Sequence, residues 1–325
     1  MTFNYNNVYL NNVSSIAGKI ESEGPLKDYY DRVYKDFYIG TKSWEDAEIK
    51  LHTEAINLVE KKEGKHADLL ISGDLLNQIV VSNYTASNLN IPFLGIYSAC
   101  STITEGMIIA SNFIESKLLN NIIVSTSSHN NSAEKQFRYP IEYGSKKRKT
   151  CTFTTTGGVA VFLSNKKSDI KIKSSTIGKV IDMGVNDVNN MGAVMAPAAA
   201  NTLYTHLIDT KLDPSYYDLI LTGDLGMYGK DIFKEYMERE YNIKLNNYDD
   251  TACMIYDINK QHVYAGGSGP ACMLLVFNSY IVDKMKKKEI KKVLLLATGA
   301  LMSPSMVNLK KTIPAISHAI SLEVM

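Results

Sequence analysis

Cysteine is scarce in this chain and is never spaced as a metal-binding or redox pair. The four residues, Cys100, Cys151, Cys253 and Cys272, include no C-x-x-C. A zinc site therefore has no support, and reduced, unpaired thiols are the expected state. No stretch approaches the ~18 consecutive apolar residues that would span a bilayer. Met1 to Tyr9 lacks a basic segment followed by an apolar one, so no secretory leader is expected. Neither sign of charge is in excess: the net charge is +1 over 325 residues, which leaves no electrostatic footprint for nucleic acid. The glycine clusters Gly157-Gly158 and Gly266-Gly-Ser-Gly269 carry neither a dinucleotide fingerprint nor a Walker lysine, and read as close backbone packing. No acidic run has EF-hand spacing. What remains is an ordinary globular composition, 45% hydrophobic and 21% charged, long enough for one large α/β unit or two fused halves.

The chain repeats itself. Asp68-Leu-Leu-Ile-Ser-Gly-Asp-Leu75 returns as Asp218-Leu-Ile-Leu-Thr-Gly-Asp-Leu225. An apolar run of that length closed by Gly-Asp reads as a buried strand ending in a tight turn. The surroundings repeat as well. Ser43 to Gly64 is expected to form an amphipathic helix capped by Ser43 with Asp46 three residues on. Ala198 to Thr210 is its counterpart, with Pro197 at the helix start. Asn120 to Ser127 matches Lys291 to Thr298. A helix precedes each (Ile103 to Ser116, Ala271 to Lys288) and a closing strand follows each (Gly157 to Leu163, Ile313 to Leu322). Alternating strands and helices predict mixed or parallel sheets covered by helices. The junction between the halves falls near Ser164 to Asp169. Asp74 and Asp224 read as caps of the helices that follow them.

Cys100 carries the chemical interest. Phe93 to Tyr97 reads as a strand and Ile103 onward as a helix, which puts Cys100 at a helix start, where free N–H groups and the helix dipole favour a thiolate. The same position suits a small residue packed into a strand–helix corner. A nucleophile also needs a base. His52, His66 and His206 fall on or beside helices and read as surface groups. His129 follows a strand, His262 precedes the second glycine cluster, and His318 lies in the last strand.

A strand followed by Cys at a helix start, in a duplicated α/β chain, resembles the thiolase and ketoacyl synthase superfamily. Longer motifs resemble one family within it, stage V sporulation protein AD. They are Ser72-Gly-Asp-Leu-Leu-Asn-Gln78, Ile91-Pro-Phe-Leu-Gly95, Ala99-Cys-Ser-Thr102, Thr126-Ser-Ser-His-Asn130, Gln136-Phe-Arg-Tyr-Pro140 and Ile177-Gly-Lys-Val180, followed by Met195-Ala-Pro-Ala-Ala-Ala200, Ala265-Gly-Gly-Ser-Gly269 and Ala297-Thr-Gly-Ala-Leu-Met-Ser-Pro304. The resemblance runs from about Gly24 to the C-terminus. It implies a thiolase-like fold: two pseudo-symmetric α/β halves, residues 1–165 and 166–325, in a layered αβαβα assembly. Two positions depart from the family pattern, Asp249-Asp-Thr-Ala252 and Pro270, each where the family often has Cys; this argues against a metal or disulfide role there.

The same resemblance implies binding of dipicolinic acid (pyridine-2,6-dicarboxylate), with calcium as a companion of the ligand and not as a resident cofactor. It also implies a chain peripheral to the inner spore membrane, alongside the membrane subunits of the stage V sporulation A channel. A homodimer is expected by analogy. In the superfamily's enzymes a His or Asn of the second half faces the Cys. Here Thr222 and Gly223 stand at one such place, Val263 to Gly266 near another, and Ala297 or Thr298 where a second cysteine would fall, so a binding protein is expected, with an acyl-transfer enzyme using Cys100 or a scaffold that only docks membrane subunits as the alternatives. A dicarboxylate calls for charge-assisted donors and a slot for its ring. The candidate set is Cys100, Ser101, His129, Lys135, Arg138, Gly267 and His318. Arg138 suits a bidentate grip on a carboxylate, and equally suits an ion pair with Glu134 or Glu142. Asn186 to Met195 fits either a pocket wall or a surface loop. The basic runs Lys146-Lys-Arg-Lys149 and Lys284 to Lys292 fit solvated faces or contact with an anionic membrane.

Overall fold

The computed structural model describes residues 1–137 and 147–325. In the first half, strand β1 (Tyr9–Ala17) is followed by helix α1 (Trp44–Glu63), β2 (Leu69–Gly73), β3 (Phe93–Gly95), α2 (Thr102–Glu115), β4 (Asn121–Ser128), α3 (Asn130–Phe137) and β5 (Gly157–Ser164). The second half holds β6 (Ile170–Thr176), α4 (Met191–Thr210), β7 (Leu219–Thr222), α5 (Gly226–Tyr241), β8 (Tyr248–Asp250), α6 (Cys272–Val276), β9 (Lys292–Ala300) and β10 (Ala315–Val324). A π turn, Phe277–Ile281, and a last helical turn, Val282–Lys286, extend α6.

These strands hydrogen-bond in the order β8-β7-β9-β10-β6-β1-β5-β4-β2-β3. Within each half the order is third, second, fourth, fifth, first, and the directions agree too. β2 is parallel to β3 and β4, while β5 runs antiparallel to both β4 and β1. β7 is parallel to β8 and β9, while β10 runs antiparallel to both β9 and β6. The halves meet where β1 and β6 pair over Tyr9↔Lys171 and Leu10↔Ile170.

The continuous apolar runs are explained by burial on both faces. Along β4, Ile122 and Val124 join a central cluster while Ile123 faces an outer one; along β9, Val293, Leu295 and Ala297 join the centre while Leu294 and Leu296 face outward. The central cluster also takes Ile103, Met107, Ala110 and Ile114 of α2 and all of α6. The outer clusters are filled by α1 on one side and by α4 and α5 on the other. Helices therefore lie outside both half-sheets and between them, which is the expected layering.

The repeated aspartates have a structural job. Asp68 Oδ2 accepts hydrogen bonds from the amides of Asn120 and Asn121 at 3.1 and 2.8 Å, at the entry to β4. Asp218 Oδ2 does the same for Lys291 and Lys292 at 2.7 and 2.9 Å, at the entry to β9. Ser43 caps α1 through the Asp46 amide, as expected.

Four sequence expectations need correction. The second-half helix begins at Met191 and runs through Pro197; burial of Met191, Val194 and Met195 carries the turn that proline would otherwise disfavour. His52 and His206 are fully buried, because both positions on their helices face the sheet and find partners there. His52 Nε2 lies 3.0 Å from Ser72 Oγ, and His206 bridges Thr176 Oγ1 and Tyr217 OH at 2.7 Å each. Burial pushes their imidazoles down to about 3 and about 4 respectively. Finally, Asp224 does not cap α5. It takes φ +70° and is buried, while Asp250, at the end of β8, accepts from the Leu225 and Gly226 amides. Asp74 does serve the following helix, through Ser82 N at 2.8 Å and Ser82 Oγ at 2.7 Å.

Candidate functional site

The two halves enclose a pocket at the C-terminal ends of β2, β4 and β9. On the first-half side, a short 3₁₀ turn, Ala99–Ser101, delivers the chain from β3 into α2. Ala99 adopts φ +49°, a left-handed conformation uncommon outside glycine. The turn is tied from within: Ser98 N donates to Thr102 Oγ1 at 2.9 Å, Thr102 Oγ1 donates to Ala99 O at 2.7 Å, and Ser101 Oγ donates to Ser98 O at 2.7 Å. Cys100 remains half-exposed on the pocket side, while Ser98 and Ser101 are buried.

The second half presses on this turn. A Cβ on Gly299 of β9 would stand 2.3 Å from Ser98 O and 2.8 Å from Ser101 Oγ, so only glycine permits the approach. Opposite Cys100 lies the glycine segment. Gly267–Ser268 pairs in parallel with Phe153–Thr154, and Thr152 Oγ1 donates to Ser268 Oγ at 2.8 Å. Gly269 turns away with φ +101°, where a Cβ would come within 2.9 Å of Ser128 Oγ.

Ala99, Cys100, Thr152, Thr154, Ser268 and Gly269 thus share one pocket, about 560 Å³ of empty space when the open solvent at its mouth is counted. Its remaining walls are mainly apolar: Leu75, Tyr97, Ala133 and Phe137 from the first half, Met191, Met195, Ala300 and Met302 from the second. Glu134 also lines it. This carboxylate is 4% exposed and pairs with Lys147 Nζ at 3.0 Å, which offsets the cost of burying the charge.

Of the residues singled out from sequence, Cys100 lines this pocket, and the glycine segment contributes Ser268 and Gly269 where Gly267 was expected. Gly267 sits behind them against Ile255, Thr155 and Cys272. Ser101 is turned toward Ser98. His129 is buried with both ring nitrogens engaged: Nε2 bonds Phe37 O at 2.8 Å and Nδ1 accepts from Asn131 N at 3.2 Å. Burial pushes its imidazole down to about 4. Lys135 pairs with Glu45 at 2.8 Å at the surface and lines a separate groove with Asn77 and Gln136. His318 accepts from Gly178 N at 3.2 Å within β10, and burial pushes it too down to about 4. Arg138 and Lys146 lie outside the described residues. His262 is exposed. In the second half, Thr222 Oγ1 is bonded to Tyr248 OH and Asp250 Oδ2 at 2.8 and 2.7 Å, and Thr298 Oγ1 donates to Gly223 O at 2.5 Å. Among the described residues, no histidine or asparagine joins Cys100 in lining the pocket.

Sequence reasoning missed Tyr97, Glu134, Phe137, Met302 and Lys147. Phe137, Met195 and Met302 each fall inside a recognised motif, which was the available signal. Met191 and Met195 settle the open stretch Asn186 to Met195: its end is a pocket wall on α4. The Lys284 to Lys292 run spans a helix end, the turn after it and the first residue of β9, with local pairing, Lys284–Glu289 at 2.8 Å and Lys287–Asp283 at 2.7 Å.

Comparison with known proteins agrees with this architecture. Solved structures similar to it include 3-oxoacyl-[acyl-carrier-protein] synthase III from Aquifex aeolicus VF5 (TM-score 0.58, 13% identity, 97% of this chain and 99% of that one). A variant of OleA from Xanthomonas campestris is also similar (TM-score 0.63, 13% identity, 99% and 98%). At that identity the likeness establishes the thiolase-like fold and no more. Stage V sporulation protein AD of Bacillus subtilis (strain 168) is 42% identical over 319 residues, covering 97% of this chain and 94% of the relative. The family model described as stage V sporulation protein AD matches residues 1–323. The chain belongs to the stage V sporulation protein AD family.

Proposed function

We propose that this sporulation protein binds dipicolinic acid in the pocket between its halves, and that it holds the ligand without transforming it. One observation carries the reading. The pocket keeps the cysteine turn of the thiolase-like fold, and the described residues that line it around Cys100 are mainly aromatic and apolar, Tyr97, Phe137 and methionines, with no imidazole or amide among them. Apolar and aromatic walls suit a flat pyridine ring. The threonine and serine hydroxyls at Thr152, Thr154 and Ser268, with the Glu134–Lys147 pair, supply polar contacts at its edge. Calcium would enter as cargo with the ligand.

In this reading the chain acts beside membrane subunits of the stage V sporulation A channel at the inner spore membrane. One observation supports a peripheral role: Lys286, Lys287, Lys288 and Lys291, at and after the end of the helical turn Val282–Lys286, are exposed. Among the described residues no helix is long and apolar enough to cross a membrane. A homodimer is part of the same proposal.

Calorimetric titration of the folded protein with dipicolinate tests the binding. Saturable heat at a single site is expected; its absence removes the proposal. A second reading, acyl transfer through Cys100, draws on the exposure of that thiol into the pocket. It predicts a covalent adduct when the protein is incubated with an acyl thioester, read by intact mass, and an unmodified Cys100 would count against it.

A further inference from the structure

We infer that Lys147 is the residue that grips a carboxylate of the pocket's ligand, with Glu134 as the positioning residue that aims it. The inference rests on the ligand reading above. Glu134 is the one carboxylate among the described lining residues, and it is nearly buried. Left alone it would repel any anion entering the pocket. Lys147 Nζ stands 3.0 Å from Glu134 Oε1. Its stem is largely covered, at 22% exposure, and the ammonium sits 6.0 and 5.9 Å from the ring centres of Phe153 and Tyr264. Phe153 precedes Thr154, itself a pocket wall. The lysine is therefore held from both sides at the pocket's edge, by a carboxylate and by two aromatic faces.

An ammonium has three donors. Glu134 takes one, and the same nitrogen can serve a ligand carboxylate that comes to the edge of the pocket. A pre-aimed cation loses little freedom on binding, which is the condition for a strong charge-assisted contact. With one carboxylate of the ring met by the hydroxyls of Thr152, Thr154 and Ser268, a second carboxylate gains from Lys147 a contact that a monocarboxylate of the same ring cannot make as well.

The test is calorimetric titration of four proteins, the wild type, Lys147→Met, Glu134→Gln and the double variant, with dipicolinate and with pyridine-2-carboxylate. Thermal unfolding of each variant serves as the folding control. Lys147→Met is expected to weaken dipicolinate binding about tenfold to a hundredfold and to shrink the preference for dipicolinate over the monocarboxylate. Glu134→Gln is expected to retain part of that preference. The double variant removes both charges of the pair, so it carries the test even if Lys147→Met alone does not fold. It is expected to stay at least about tenfold weaker than the wild type. Wild-type affinity in the double variant would mean that Lys147 only neutralises Glu134, and would overturn the inference, as would a twofold or smaller effect of Lys147→Met. No saturable binding by the wild type would instead remove the ligand reading itself, and this inference with it.

Discussion

Replacing Gly299 with alanine tests whether the second half holds the cysteine turn in place. The added methyl carbon would lie 2.3 Å from the Ser98 carbonyl oxygen and 2.8 Å from Ser101 Oγ. Both separations are far inside van der Waals contact. The nearer atom is backbone and cannot rotate away, and Ser101 Oγ is already committed to Ser98 at 2.7 and 2.8 Å. Relief must come from moving either the turn or β9, and β9 is locked against β10 in continuous register from Lys292↔Glu323 to Ala300↔Ala315. Overpacking of this kind costs ~1–3 kcal/mol; with a backbone oxygen as the obstacle, the upper end, ~3 kcal/mol, is expected. Gly64→Ala is the matched control. It has φ +70° and nothing within 4 Å, so it pays only the left-handed backbone cost of ~1–2 kcal/mol. The assays are guanidinium unfolding and the rate of Cys100 alkylation. Gly299→Ala should lose more stability than Gly64→Ala and should change the alkylation rate, which Gly64→Ala should leave alone. A Gly299→Ala protein within ~0.5 kcal/mol of wild type, alkylated at the wild-type rate, would refute the idea that β9 positions the turn.

Three further outcomes are expected. His206 is buried between Thr176 and Tyr217, and its folded imidazole titrates near 4 against ~6.5 in an unfolded chain. The unfolded state takes up the proton first, so the stability held by neutral His206 is present above pH ~6.5 and is lost as pH falls toward 4, at up to ~1.4 kcal/mol per pH unit. His206→Gln should flatten the acid limb of the stability–pH curve in that window, and two parallel curves would dismiss the assignment. Asp250→Ala strips acceptors from the Leu225, Gly226 and Ala252 amides and from Thr222; a loss of ~2–4 kcal/mol is expected in denaturant unfolding, and a loss under ~1 kcal/mol would show the network to be replaceable. Lys135→Ala removes a surface pair worth ~1 kcal/mol at most, and because Lys135 lines a different groove dipicolinate affinity should stay within about twofold; a larger loss would place Lys135 at the ligand after all.

The fold was legible because its strands are buried on both faces. Asp68 to Leu75 and Lys291 to Thr298 each hold a continuous apolar stretch, and a Gly-Asp turn marks where the first ends. The Cys100 corner was legible for a related reason, since a strand and a helix meeting within a few residues leave few places for the residues between them. Buried histidines were not legible. His52 and His206 sit among charged and polar helix neighbours, and only the sheet packed against those helices decides that they face inward. The pocket walls were hidden differently. Met191 and Met195 follow the same helical spacing as core residues, so their pattern cannot separate a wall from a core. Glu134 and Lys147 form a pair only because α3 and the strand Phe153–Thr154 are brought together, and no spacing rule connects them.

The repeat itself shows where the two halves have kept one role and where they have parted. At the closed ends of the half-sheets, Asp68 and Asp218 do identical work, each fastening two amides at the start of the neighbouring strand. At the pocket ends, the second aspartate of each copy differs. Asp74 is satisfied by Leu76 and Ser82, whereas Asp224, buried at φ +70°, turns to Cys272 and the Gly269 backbone and not to the helix that follows it. Its helix is instead served by Asp250. Packing constraints act alike on both closed ends, because each must start the same strands in the same order. The open ends face each other across one pocket and cannot both supply the same wall: a cysteine turn on one side requires a partner that clears it, which Gly299 and the Gly266–Gly269 segment provide. Asymmetry at the open ends is therefore what a single shared pocket demands of a duplicated fold, and the divergent aspartates mark the boundary between the part of each half that builds the sheet and the part that builds the site.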